Sequence, residues 1–391
     1  MIAILLFFFQ MIGQVHTFKC MHHPLENRIA YIYGIKNIQD LDRITIHKLQ
    51  TIFKTSPLMV FKGVDMISPN QFINFLKEFD PDHDVEALAD PDKHPRQMLQ
   101  PFDQFPDCKH VAPRGNVKLN NFYDIKNINI EPSDNFINNY LWHTDILGHE
   151  YKLPNVITGF YIVEQPLIGG DTDFISGETI YENLGYEERI ACETMLIEIN
   201  RHKFITDKSI RMDYAGVNRK EIFINYKVGS VVTPILFAPD HPHELPRILL
   251  LPSFFEKVVG WGIDESRKWI HDFMLKNVLP HRVSVQWKKG DLAIFNNRRF
   301  IHSSTPARNY MDNYDSSKRL LLQTFLPTTR PLRGYQPKKE DKYVSHNLGW
   351  AREKSRSAHM VHSHLEFTQD ILNKYNQTVQ EDGSYILRKK A

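Results

Sequence analysis

Residues 139–145 read Asn-Tyr-Leu-Trp-His-Thr-Asp, and residues 290–304 read Gly-Asp-Leu-Ala-Ile-Phe-Asn-Asn-Arg-Arg-Phe-Ile-His-Ser-Ser, a strand-like stretch that delivers His302. Alternation along a strand puts residues i and i+2 on one side, so His143 and Asp145 can address one ion while Thr144 faces away. Taken alone the pair is weak, because an ordinary histidine and aspartate ending a strand look the same.

Its company gives it meaning. His302 supplies a second imidazole, and two imidazoles with one carboxylate are the set with which non-haem Fe(II) oxygenases hold one face of the metal and leave the other open. Gly169-Gly170-Asp171-Thr172 follows the first two ligands, and Arg319 comes 17 residues after His302 (319 − 302). A hydroxyl and a guanidinium suit the far end of a dicarboxylate co-substrate, since arginine offers a planar fork matched to a carboxylate.

The order Trp142-His143-Thr144-Asp145, then Gly169 to Thr172, then Trp287, Gly290-Asp291, Asn297 and His302, then Arg319, resembles the taurine dioxygenase and 2,4-dichlorophenoxyacetate dioxygenase family of Fe(II)/2-oxoglutarate enzymes. The resemblance covers roughly residues 57–327. It implies a mainly β fold with flanking helices and a double-stranded β-helix, or jelly-roll, core. It implies His143, Asp145 and His302 as iron ligands at the catalytic centre, with Thr172 and Arg319 holding the distal carboxylate of 2-oxoglutarate. The implied reaction hydroxylates a small organic substrate, with dioxygen and 2-oxoglutarate consumed and succinate formed. For the substrate it implies Asn139, matched in the family by an asparagine near the substrate, and His94, placed where relatives often carry a substrate-contacting histidine. A solvated loop histidine accounts for His94 equally well. Gln323 and Tyr226 are candidates to line the pocket, Tyr226 reading equally as core.

Two departures stand out. The family usually carries a second arginine four residues after the co-substrate arginine, which in taurine dioxygenase grips the sulfonate; here that position is Gln323. An anionic substrate would need another cation, such as Arg96 or Arg114. The segment between His302 and Arg319 is also longer than usual, which leaves Arg308 as a competitor for the co-substrate role. Asn296 and Asn297 read as structural residues that orient the strand delivering His302, and Asp171 as an Asx residue ending the Gly169-Gly170 turn.

Composition narrows the alternatives. The 391 residues divide into an N-terminal extension with an apolar start (1–56), a dioxygenase domain (57–327) and a basic C-terminal segment (328–391). With 48 basic against 46 acidic residues the net charge is +2, which gives no electrostatic case for nucleic acid. Cys20, Cys108 and Cys192 have no CxxC spacing and make an odd count, so neither a zinc site nor a disulfide framework is indicated. Free thiols suit a reducing, cytoplasmic compartment. The apolar run at residues 2–9 is far short of the ~20 residues of a transmembrane helix. Its length also fits the apolar region of a secretory signal, although no Lys or Arg precedes it. A γ-butyrobetaine or trimethyllysine hydroxylase is the alternative within the same chemistry, and a non-catalytic binding protein on the same fold the alternative outside it.

Local pattern places the scaffold. Residues 58–63 read as a buried strand, and Ser68-Pro69 as the cap and first turn of a helix with Phe72, Phe75, Leu76 and Phe79 on one face. Residues 80–121 read as one long loop, 178–199 as a helix interrupted near Gly185, and Asp264 as the N-cap of another helix. Strands are expected at 222–226, 283–287, 292–295 and 320–325, and a helix at 367–375.

Overall fold

The computed structural model describes residues 17–84, 105–108, 110–125, 128–130, 142–145, 155–199, 230–241, 244–249, 255–305, 318–326, 328, 330, 332–335, 375–379 and 385–389. The expected strand at 222–226, with Tyr226, lies outside them, as do His94, Arg96, Asn139 and Arg308.

An antiparallel pair, β1 (Lys19–His23) and β2 (Glu26–Tyr33), leads to α1 (Arg43–Thr55), whose N-cap Asp42 accepts the Thr45 N–H. The helix is the crossover that lets β3 (Leu58–Lys62) lie parallel to β2, so residues 26–33 join the same sheet as 58–62. α2 (Pro69–Lys77) follows as expected. Ser68 accepts the Gln71 N–H while the Gln71 side chain accepts the Ser68 N–H, a capping box worth about 1 kcal/mol. Its Phe72, Phe75 and Leu76, with Phe79 just beyond, are buried against the sheet.

The long-loop reading of 80–121 needs correction, because the segment contains β4 (Ala112–Gly115) and β5 (Lys118–Leu119), the latter paired with β6 (Ile128–Asn129). Pro113 and Gly115 mask the alternation of β4, and an edge position is where a strand tolerates proline. Next come β7 (Ile157–Glu164), β8 (Thr172–Ser176), α3 (Gly177–Asn183) and α4 (Tyr186–Thr194). The chain continues through β9 (Leu196–Ile199), β10 (Ser230–Pro234), β11 (Leu236–Phe237), β12 (Arg247–Ile248), β13 (Phe255–Val258) and α5 (Ile263–Phe273). Last are β14 (Val283–Val285), β15 (Leu292–Asn296), β16 (Phe300–Ser304), β17 (Leu320–Leu326), β18 (Tyr375–Val379) and β19 (Tyr385–Lys389).

Three further expectations are corrected. The helix of 178–199 stops at Thr194, and 196–199 pairs as β9 between β10 and β13, where Ile197 and Ile199 bury as alternate residues of a strand. Gly262, not Asp264, caps α5, which puts Asp264 in the first turn, where its charge favours the helix dipole. Tyr375 opens a strand rather than closing a helix.

Two sheets frame the site. The larger has the order β1-β2-β3-β15-β7-β17-β4, the smaller β14-β8-β16. Alternate residues of each meet in one apolar layer: Val60, Phe160, Ile162, Phe295 and Leu321 from the larger sheet against Phe174, Val283, Val285 and Phe300 from the smaller. The other face of the larger sheet packs on α1 and α2 through Leu49, Phe72, Leu292, Ile294 and Leu322. A five-stranded sheet, β13-β9-β10-β19-β18, shares no strand with these two, and its Ile197, Ile199, Phe255 and Val258 join one buried apolar cluster with Ile175 of β8 and Ile301 of β16. Among the described residues no helix is long and apolar enough to cross a membrane.

Candidate metal centre

His302 lies on β16 opposite Phe174 of β8, on the face that looks toward the larger sheet. Phe174 stacks on its ring at 5.8 Å between centroids, and Phe295 meets it edge-on at 5.1 Å. His143 is brought to it by backbone pairing: each of the two residues donates its N–H to the other's carbonyl, at 3.0 and 2.8 Å. That exchange sets the rings 4.4 Å apart.

Asp145, two residues on, turns its carboxylate between the rings. Its oxygens stand 3.7 Å from His143 Nε2 and 3.6 Å from His302 Nε2, and the three ligand atoms all lie within 4.8 Å of one another. These His–Asp gaps are too long for hydrogen bonds. Ligand atoms each about 2.1 Å from a common ion would stand roughly 3.0 to 3.6 Å apart at angles of 90 to 120°. The group therefore fits a divalent metal held on one face, and the donor set is the imidazole and carboxylate chemistry that iron accepts. Burial above all, and then the neighbouring His143, push the His302 imidazole well below its ordinary value, which favours the neutral form that a metal ion requires. Burial also pushes the Asp145 carboxyl up. His143, the Thr158 hydroxyl and the charge of Arg114 pull it back.

Buried amides fix this geometry. Asn297 Oδ1 accepts the Asp145 N–H at 2.8 Å while its Nδ2 donates to the Asp145 carbonyl at 2.5 Å, bracketing the ligand by its own peptide groups. Thr158 donates to Asp145 Oδ2 at 3.0 Å and accepts from Asn155 Nδ2 at 2.9 Å, and Asn155 Oδ1 accepts from Asn297 Nδ2 at 3.1 Å. Asn297 thus orients Asp145 rather than the strand carrying His302. Asn296 makes that turn, accepting the Arg298 N–H on its side chain and the Arg299 N–H on its carbonyl. We expect Asn297→Ala to weaken metal binding by about 10- to 100-fold, the usual cost of losing such support. Calorimetric metal titration checks this, and unchanged affinity would mean that Asp145 is held by other means.

The second cluster lies on the same inner faces. Thr172 begins β8 on the side of Phe174, and its hydroxyl oxygen accepts the Trp287 indole N–H at 3.0 Å, leaving its proton to donate to an anion. Arg319 precedes β17 in phase with Leu321 and Gln323, and it is buried. Asn116 brackets it with side chain and backbone, its Oδ1 accepting the Arg319 N–H at 2.7 Å and its backbone N–H donating to the Arg319 carbonyl at 3.0 Å. At Gly115 an added Cβ would fall 1.9 Å from the Arg319 carbonyl oxygen, so only glycine allows this approach. Burial lowers the Arg319 guanidinium to about 10, while the charge of Asp171 pulls the other way. Asp171 makes no Asx turn. Its carboxylate receives the Trp287 backbone N–H and faces Arg319, which brings the turn carrying Thr172 close to that cation.

The profile described as taurine catabolism dioxygenase TauD, TfdA family matches residues 25–325. The chain belongs to the TauD/TfdA dioxygenase family. An alkylsulfatase of Acinetobacter baylyi is 26% identical over 193 residues, 46% of this chain and 56% of that protein, so the chain spans about half that relative's length. An alpha-ketoglutarate-dependent sulfate ester dioxygenase of Pseudomonas putida is 22% identical across 81% of this chain and 92% of its own. Among solved structures, a taurine dioxygenase from Burkholderia xenovorans superposes with a TM-score of 0.54 at 16% identity, covering 84% of this chain and 98% of that one, a likeness of fold.

Of the sequence-predicted residues, the structure brings together His143, Asp145 and His302, and places Thr172, Arg319 and Gln323 on the facing sheet surfaces of this TauD/TfdA family member. His94 and Asn139 lie outside the described residues. Sequence reasoning missed Asn116, Asn155 and Thr158, whose roles come from partners far along the chain.

Proposed function

We propose that the chain is an Fe(II)- and 2-oxoglutarate-dependent hydroxylase of a small organic molecule other than taurine. The observation that carries this reading is the convergence of His143, Asp145 and His302 on one point. Arg319 and Thr172 lie on the same inner sheet faces. His143, Asp145 and His302 would hold the iron. Bound iron with dioxygen supplies the oxidation that turns a substrate C–H into C–OH as 2-oxoglutarate becomes succinate and carbon dioxide. Arg319 and the Thr172 hydroxyl orient the 5-carboxylate, fixing the co-substrate's length along the site. Phe160, Phe174, Phe295 and Leu321 exclude water beside the metal group. The two facing sheets are read as the halves of a jelly-roll core, and the catalytic unit as running from β1 through β17. Three free cysteines, two of them buried, favour a reducing, cytoplasmic setting.

The test is anaerobic binding of Fe(II) and 2-oxoglutarate, then a substrate screen that reads succinate release. A protein that binds neither would be a non-catalytic member of the fold. Taurine is expected to give little succinate, because Gln323 offers an amide at the position where the sulfonate-gripping pattern has a charge. Gln323→Arg should improve sulfonate binding, and efficient turnover of taurine by the unaltered protein would refute the assignment of Gln323.

A further inference from the structure

The guanidinium absent at position 323 is matched by one on the neighbouring strand. Register sets Arg114 of β4 opposite Leu321 of β17, with Ala112 opposite Gln323. Cross-strand partners share a face, and Leu321 belongs to the layer between the sheets, so Arg114 faces inward beside Leu321 and diagonal to both Arg319 and Gln323. β4 ends the larger sheet, which leaves Arg114 half-buried at the rim rather than sealed in the core. Around it the inner face offers the Gln323 amide and the apolar Leu321, Phe160 and Ile162. A planar fork and an amide donor at the edge of an apolar wall suit an oxyanion on an alkyl or aryl body.

Resting on the reading of the site as a hydroxylase, we propose that Arg114, rather than a residue at position 323, is the group that receives an anionic end of the substrate. The anchor has moved one strand from its usual place. Taurine is disfavoured on this account too, because its ammonium brings another positive charge beside Arg114 and Arg319.

Hexyl sulfate, hexanoate, 1-hexanol and hexyltrimethylammonium, titrated calorimetrically into the Fe(II)- and 2-oxoglutarate-loaded protein under argon, test this. At least one of the two anions should bind the unaltered protein more tightly than the alcohol or the cation. Arg114→Gln should weaken that anion by about tenfold to a hundredfold, the range of a charge-assisted contact, and leave the alcohol unchanged. Arg114→Lys should fall between, since lysine keeps the charge without the fork. Unchanged 2-oxoglutarate affinity in Arg114→Gln shows that the variant is folded and its co-substrate site intact. The proposal is overturned if neither anion binds, if the cation binds best, if Arg114→Gln leaves the anion unaffected, or if it weakens 2-oxoglutarate equally, which would make Arg114 a co-substrate residue. Loss of Fe(II) and 2-oxoglutarate binding by the unaltered protein would instead remove the hydroxylase reading itself.

Discussion

His302→Ala and His302→Gln proteins, titrated anaerobically with Fe(II) and 2-oxoglutarate, are expected to show none of the weak visible charge-transfer band expected of the unaltered protein. A face of three donors leaves adjacent positions for a bidentate acid, and losing one imidazole from that face removes the strongest constraint on the metal. The glutamine variant matters because His302 is buried between Phe174 and Phe295, and alanine there would also open a cavity. A full-strength band in the glutamine protein would remove His302 from the ligand set. The same residue predicts a pH effect in the metal-free protein. Its imidazole is held neutral well below the ordinary value, so the unfolded chain binds a proton that the folded chain refuses. Stability therefore falls as pH drops below about 6.5, by up to roughly 1.4 kcal/mol per pH unit. Urea unfolding at two pH values measures the slope, which should be shallower in His302→Gln.

Arg319→Leu is expected to weaken 2-oxoglutarate by roughly tenfold to a hundredfold, equivalent to the ~1.5 to 3 kcal/mol of a charge-assisted carboxylate contact, while iron binding is nearly kept. The backbone at this position is held by Asn116 through peptide groups, so the substitution removes the guanidinium without releasing the strand. Leucine also spares the fold a buried cation already weakened by desolvation. Thr172→Val should act in the same direction but less, with part of its effect arising from the Trp287 indole losing its acceptor. If Arg308→Leu caused the large loss instead, the longer connection after His302 would have shifted the co-substrate role, and Arg319 would be structural.

The candidate metal-binding residues were legible because their signal is chemical: two imidazoles and a carboxylate in this order need no neighbour to be singled out, and the structure brings the three together. The helix after Ser68 was legible because a capping box and a 3.6-residue face are both local. The 178–199 reading failed where local pattern is ambiguous. Leu196-Ile197-Glu198-Ile199 suits a buried helix end as well as a strand, and only pairing with β10 and β13 decides between them.

By itself, then, the sequence determined the residue types of the metal group, the order of the co-substrate motifs and the absence of a cation at Gln323. Tertiary structure alone decided what surrounds them. Asn297 reaches Asp145 across 152 positions and Asn116 reaches Arg319 across 203, separations at which no local periodicity carries information. The period of two along a strand says which residues of that strand share a face, but not which strand lies beside it. That β4 borders β17 is what turns Arg114 from a loop arginine into an inward-facing neighbour of Gln323.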